Sequence, residues 1–295
     1  MDSMVEKIPS VVSALITPMH DDRSINYDAL QKLVAFELEQ GVQGFYCCGS
    51  SAEGLLLETD ERKQIAQSVS EVCKDAVPFI VHTGSLGTKE AIELSVHAQQ
   101  VGAQAVSLIP PIYYHYSQQE VEGYYSDVAE AIDLGIIIYN IPQFTGISFS
   151  KESPLLKQEK IIGIKHTSMN LYDLERLSQA FDKKVLFNGF DEVFLFALAA
   201  GAQSTIGTTV NVCPRLFKGI YDDFHNGAIV KAQQKQHLLN DFVEAVVKEG
   251  IFSAVKYCMS VLGVESGPCR KPFKALDTDQ KKRIEKALGK IENYV

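Results

Sequence analysis

Short runs of β-branched and aromatic residues alternate with amphipathic stretches along most of the chain, and the breaks fall on Gly, Asn, Thr and Pro. The alternation recurs eight times. The predicted strands are VVSALITPM from Val11, GFYCCGS from Gly44, PFIVHTG from Pro78, AVSLIPP from Ala105, GIIIYNIP from Gly135, IIGIKHTS from Ile161, KVLFNGF from Lys184 and STIGTT from Ser204. Helix faces show between them, such as Ile65, Val69 and Val72 behind Asp60 and Glu61, or Ala91, Leu94, Ala98 and Val101 ahead of Gly102. Acids at the start suit the helix dipole, and a closing glycine supplies the left-handed residue that ends a helix. The segment Glu192 to Ala200, EVFLFALAA, is apolar on every side. It predicts cover from a later helix or from another subunit.

Continuous apolar strands separated by helices predict a parallel sheet covered on both faces, and eight units of about 25 residues each close naturally into a (β/α)8 barrel. An open doubly wound sheet is the competing architecture, but the first strand runs into ALITPMHDD with no G-x-G-x-x-G turn behind it. From residue 212 to 292 the pattern reads as helix, including AIVKAQQKQHLLNDFVEAVVKE and TDQKKRIEKALGKIEN. The expected fold class is therefore α/β, a TIM barrel with a C-terminal helical extension. Residues 1–211 form its barrel core, and 212–295 form the last barrel helix and the extension within the same structural unit.

Composition narrows the function. A 46% hydrophobic content over 295 residues excludes a disordered chain. A net charge of −9 offers no general attraction to phosphate backbones or anionic lipid, so neither nucleic acid nor membrane is an expected partner. Six cysteines without a CxxC pair read as free thiols, the N-terminal MDSMVEKIPS lacks the apolar core of a signal peptide, and no run of about 18 apolar residues occurs. A reducing cytoplasm is the expected location.

Active sites of such barrels lie at the C-terminal ends of the strands, so polar residues there carry functional weight. The sixth strand runs through Ile161, Ile162, Gly163 and Ile164 into Lys165, and a two-residue period places Lys165 with Ile161 and Gly163. On the barrel interior it is a desolvated amine, the form that attacks a carbonyl carbon to make a Schiff base. Residues alone leave a second reading, a lysine reaching out to solvent or paired with a carboxylate. Tyr139 on strand five stands at the matching depth, either as a proton relay or as a core tyrosine. GSSAEG, from Gly49 to Gly54, is either a carboxylate-binding turn or a plain polar one. Asp191 and Glu192 in NGFDE open a helix, where the dipole alone favours acids. Tyr113, Tyr114 and Tyr116 follow Pro110 and Pro111 as an aromatic surface. His166 falls on the strand face opposite Lys165 and reads as structural. No HxH, HExxH or acid cluster supplies a metal site, and no G-x-S-x-G elbow supports a serine hydrolase.

Six motifs in order, GSSAE at Gly49, PIYY at Tyr113, YNIP at Tyr139, GIKHTS at Lys165, NGFDE at Gly189 and IGTT at Gly207, resemble over nearly the whole chain the pyruvate-dependent class I aldolases. That family includes N-acetylneuraminate lyase and dihydrodipicolinate synthase. The resemblance implies a (β/α)8 barrel, a homotetramer, and Lys165 as Schiff-base lysine with no cofactor or metal. Phe144 stands where the synthases look to have a carboxylate-binding arginine. Together with KHTSxxLYxLE after Lys165, NGFDE, and PCRKPF at Pro268 to Phe273, it makes the sequence more similar to the lyase branch. Ala52 and Ser51 depart from the usual glycine and threonine of the GxxGE turn, and Thr208 replaces a common serine.

Carried over by position, the resemblance implies that Lys165 attacks C2 of N-acetylneuraminate, and that the resulting iminium accepts electrons as the C3–C4 bond breaks. N-acetylmannosamine and pyruvate are the products. Tyr139 is implied as acid/base, Ser50 as its hydroxyl relay and Tyr113 as a group supplied by a neighbouring subunit. Ser50 and Ser51 are implied to bind the carboxylate, and Thr167, Gly189, Asp191, Glu192 and Thr208 the rest of the substrate. Glu53 is read as structural. The alternatives are an aldolase for a 2-keto-3-deoxy sugar acid, a dihydrodipicolinate synthase joining pyruvate to aspartate semialdehyde, and a non-catalytic keto-acid-binding barrel.

Overall fold

The computed structural model describes residues 9–74, 76–180 and 184–295, so the expectation for the N-terminal leader falls mostly outside the described residues. Eight strands appear where the hydrophobic runs predict them: β1 (Val11–Ala14), β2 (Phe45–Cys47), β3 (Phe79–His82), β4 (Ala105–Leu108), β5 (Gly135–Asn140), β6 (Ile161–His166), β7 (Val185–Asn188) and β8 (Ser204–Gly207). Each pairs in parallel with the next, and β8 pairs with β1 to close the barrel. The doubly wound alternative is thereby excluded.

Helices α1 (Tyr27–Glu39), α2 (Thr59–Cys73), α3 (Thr88–Gln100) and α4 (Gln118–Ala131) return the chain between the first five strands. Their ends follow the local chemistry. Asn26 accepts the Ala29 amide at the start of α1, Glu58 and Glu61 form a reciprocal capping box on α2, and Gly102 behind α3 has φ +85. The later returns are shorter: α5 (Pro142–Thr145), α6 (Leu171–Ser178) and α7 (Phe194–Ala199). After β8 come α8 (Pro214–His225), α9 (Ile229–Lys248), α10 (Ile251–Val261) and α11 (Thr278–Gly289).

Two apolar layers result. Side chains such as Val12, Ile80, Ile137, Phe187 and Ile206 fill the barrel, while Leu33, Val69, Val128, Leu174 and Phe217 belong to the larger core outside it. The cover predicted for EVFLFALAA comes from α9, where the Gln236 side chain accepts the Leu195 amide and donates to the Asp191 carbonyl. That cover is one-sided, for Phe196 stays 44% exposed.

Two expectations are corrected. A register shift between β5 and β6 pairs Ile136 with Ile161 but Ile137 with Gly163, so Ile162 is an extra residue and the two-residue alternation breaks there. Ile162 then packs toward the barrel interior, over Gly135, and Ile161 joins the outer layer. Lys165 thus shares its face with Gly163 but not with Ile161. Nor is 212–292 helical throughout: Gly250 (φ +94) separates α9 from α10, Gly263 (φ +97) ends α10, and 264–277, with Pro268 and Pro272, is not helical. This stretch returns to the loop after β1, where the Met19 amide donates to the Ser266 carbonyl, and to the first turn of α2, where Arg270 pairs with Glu61.

Candidate active site

Parallel pairing of β5 with β6 sets Tyr139 directly beside Lys165. Lys165 is 4% exposed, and its Nζ lies 4.0 Å from the Tyr139 ring centroid and 4.5 Å from that of Tyr46. Among the described residues it forms no ion pair. Both bland readings of this lysine therefore fail, since it neither reaches solvent nor meets a carboxylate. Two aromatic faces and burial enclose the amine, and an amine so held is chemically able to attack a carbonyl carbon brought against it.

Tyr139 places its hydroxyl 3.5 Å from the Ser50 Oγ, the outer limit of a hydrogen bond and a separation that a bound substrate can tighten. Ser50 itself is exposed at the mouth. Ser51 is buried and its Oγ lies 2.7 Å from the Thr208 Oγ1, which joins the loops after β2 and β8. The turn is tightly made. The Ala52 and Gly54 amides donate to the Gly49 carbonyl, and the Glu53 amide to that of Ser50. The Ser50 and Ser51 amides donate to no group among the described residues. A side chain on Gly54 cannot fit, since its Cβ would lie 1.9 Å from the Cys48 carbonyl oxygen. Two unspent amides beside two hydroxyls suit a carboxylate.

On the far side of the mouth, Thr167 follows β6 with a buried Oγ1 that has no partner among the described residues. Gly189 fits only as glycine, for an added Cβ would lie 1.8 Å from that oxygen. Asp191 is buried, and its Oδ2 accepts the Thr209 amide at 2.8 Å and hydroxyl at 2.7 Å. Its Oδ1 has no partner among the described residues and sits against Gly207. Burial pushes the Asp191 carboxyl up to about 6, against the pull of the Thr209 hydrogen bonds and the Lys165 charge. Glu192 is half-buried beside it. Tyr113 stands apart: it is 87% exposed, has φ +84, and packs edge-on against Tyr114. Within one chain it is outside the buried constellation. His166 faces outward and its Nδ1 meets the Asn140 Nδ2 at 2.9 Å, as its strand parity predicts.

Sequence reasoning missed two residues of the inner wall. Tyr46 on β2 is fully buried and donates its hydroxyl to the Ser107 Oγ at 3.1 Å. His82 at the end of β3 sets its ring edge-on to Tyr139 with centroids 5.9 Å apart. Burial, with the Arg62 and Lys165 charges, holds this imidazole well below the ordinary histidine range, so it is neutral. The signal was present in the alternation, since Tyr46 and His82 share the inward parity of Ile80. Among the described residues no group of three or more His, Cys, Asp or Glu side chains converges to hold a metal ion.

The model of the dihydrodipicolinate synthetase family matches residues 7–291. The N-acetylneuraminate lyase of Rhizobium meliloti (strain 1021) is 35% identical over 286 residues, covering 97% of this chain and 96% of that protein. CdNal from Clostridium difficile, solved in complex with mannosamine, superposes with a TM-score of 0.94 at 32% identity, over 96% of this chain and 99% of the other. The N-acetylneuraminate lyase of Fusobacterium nucleatum does so with a TM-score of 0.92 at 32% identity, over 96% and 99%. With a closed eight-stranded barrel and a family match across almost its full length, the chain belongs to the dihydrodipicolinate synthetase family.

Proposed function

We propose that the chain is a Schiff-base aldolase that cleaves N-acetylneuraminate reversibly to N-acetylmannosamine and pyruvate. The observation that carries this reading is the Lys165 amine, buried on the rings of Tyr139 and Tyr46 with the Tyr139 hydroxyl leading to Ser50. The similarity to N-acetylneuraminate lyases at 32–35% identity supports the choice of substrate.

Lys165 attacks C2 of the open-chain keto acid, and loss of water leaves an iminium. Its positive nitrogen draws the electrons of the C3–C4 bond as Tyr139 takes the C4 hydroxyl proton, and N-acetylmannosamine departs. The enamine is protonated and hydrolysed to pyruvate, which regenerates the amine. Ser50 extends the relay from Tyr139, and Tyr113 is supplied by a neighbouring subunit of a homotetramer, a role suited to its exposure. The free amides of Ser50 and Ser51, with the two hydroxyls beside them, take the C1 carboxylate. Thr167, the Gly189 backbone, Asp191, Glu192 and Thr208 receive the hydroxylated tail, whose donors match the unpartnered Thr167 Oγ1 and Asp191 Oδ1. The reaction uses no cofactor beyond the Lys165 imine.

Phe144 is 75% exposed and lies in an apolar recess of about 370 Å³ with Ile112, Ile141, Leu55 and Phe273. Among the described residues no cation lines that recess, which disfavours a dicarboxylic product and hence the synthase reaction. Six free, buried thiols suit a reducing cytoplasm, and no helix among the described residues is long and apolar enough to cross a membrane. Purified protein given N-acetylneuraminate is expected to release pyruvate and N-acetylmannosamine. With pyruvate as donor it is expected to accept N-acetylmannosamine and not aspartate semialdehyde. Turnover of the semialdehyde alone overturns the choice of substrate.

A further inference from the structure

Glu53 closes the Ser50–Ser51 turn in the left-handed region (φ +60), a conformation that side chains disfavour. Its carboxylate is held by the C-terminal extension. There Oε1 lies 2.6 Å from the Nζ of Lys256 on α10, and Oε2 accepts the backbone amide of Arg270 at 2.6 Å. The pair is sealed, with side-chain exposures of 1% for Lys256 and 0% for Glu53, and Lys256 also donates to the Pro268 carbonyl at 3.0 Å. Arg270 continues the tie outward to the Glu61 carboxylate and to the carbonyls of Leu56 and Arg23. Two motifs 217 residues apart, GSSAEG and PCRKPF, thus meet on one carboxylate.

We propose that Glu53 and Lys256 are positioning residues for substrate carboxylate binding: their buried ion pair holds the Ser50–Ser51 turn in the shape that presents its two free amides. The inference rests on the reading that this turn receives the C1 carboxylate. Neither side chain touches substrate. With the pair removed, a disfavoured backbone has less to hold it, and the turn relaxes. The Ser50 and Ser51 amides then diverge, and the Ser51 contact to Thr208 loosens. The extension thereby sets affinity for the keto acid without entering the chemistry.

The test is a double variant, Glu53→Gln with Lys256→Met, which leaves no buried charge unpaired. Amide exchange read by mass spectrometry is expected to quicken about tenfold in the peptide covering residues 49–54, with β5 and β6 peptides unchanged. For N-acetylneuraminate cleavage, KM is expected to rise about tenfold while kcat stays within about threefold, the pattern of lost uniform binding. Exchange in 49–54 equal to that of the parent overturns the clamp. A loosened turn with unchanged KM overturns its link to the carboxylate. A parent that releases no pyruvate refutes the aldolase reading instead, and the exchange measurement still decides the clamp. If the double variant does not fold, Glu53→Asp, which keeps the charge but shortens its reach, is expected to show the same changes at smaller amplitude. Parent-like exchange and KM in that variant overturn the proposal equally.

Discussion

Glu37 lies on α1 with its side chain in the layer between helix and barrel, fully buried, and neither carboxyl oxygen has a hydrogen-bond partner among the described residues. The Ser13 hydroxyl nearby on β1 offsets only part of the burial, and the carboxyl is pushed up from 4.5 to about 8. In the unfolded chain the group ionises near 4.5; in the folded protein it stays neutral until about 8. Folding therefore holds the proton more tightly. The stability this contributes is fully present below 4.5 and is lost as pH rises to about 8. At about 1.4 kcal/mol per unit the loss reaches about 5 kcal/mol, a large share of the roughly 5–15 kcal/mol of a typical domain. Glu37→Gln keeps the shape and cannot ionise. Urea unfolding of parent and variant at matched protein concentration, from pH 4.5 to 9 in steps of about one unit, gives a stability difference between them. That difference is expected to shift in favour of the variant by about 1.4 kcal/mol per unit up to about pH 8 and to level off there. A difference that stays flat across the window refutes an unpartnered, protonated Glu37.

Tyr139→Phe keeps the ring under Lys165 and removes the hydroxyl, so kcat for cleavage is expected to fall about 10²–10⁴-fold while pyruvate still forms a reducible imine. An unaltered kcat removes Tyr139 from the proton relay. The Asp191 carboxyl, raised from 3.8 to about 6, loses its stabilising share as pH rises between those values, about 3 kcal/mol in all. Asp191→Asn is expected to be the more stable protein above pH 6 by urea unfolding, and to lack any acid limb near pH 6 in kcat/KM that the parent shows. Gly189→Ala drives a Cβ to within 1.8 Å of the Thr167 Oγ1. It is expected to cost about 1–3 kcal/mol of stability, read from the urea midpoint, with a raised KM.

Most of the barrel was legible because its strands are short apolar runs whose breaks are set by local turn chemistry, whereas strand position left Lys165 and Tyr139 with two readings each, and the resemblance of the six motifs is what favoured the catalytic one. What escaped reading depended on contacts distant in sequence. The extra residue at Ile162 is fixed by pairing with β5, so parity counted back along β6 from Lys165 holds at Gly163 and fails at Ile161. The return of 264–277 to the barrel mouth depends on partners more than two hundred residues away, such as Glu61 and Glu53 for Arg270. Tyr46 and His82 look like ordinary strand residues until closure of the sheet turns them toward Tyr139. The polar residues of GSSAEG and NGFDE carried two meanings each in the sequence. The unspent Ser50 and Ser51 amides and the unpartnered Asp191 Oδ1 favour the binding one.

The central claim is that Lys165 forms a Schiff base with the keto acid. Intact protein incubated with pyruvate and borohydride, then weighed and mapped by peptide mass spectrometry, is expected to carry one reduced pyruvate adduct, on Lys165. The Lys165→Ala protein is expected to carry none. Parent protein without an adduct, or with the adduct on another lysine, contradicts the account.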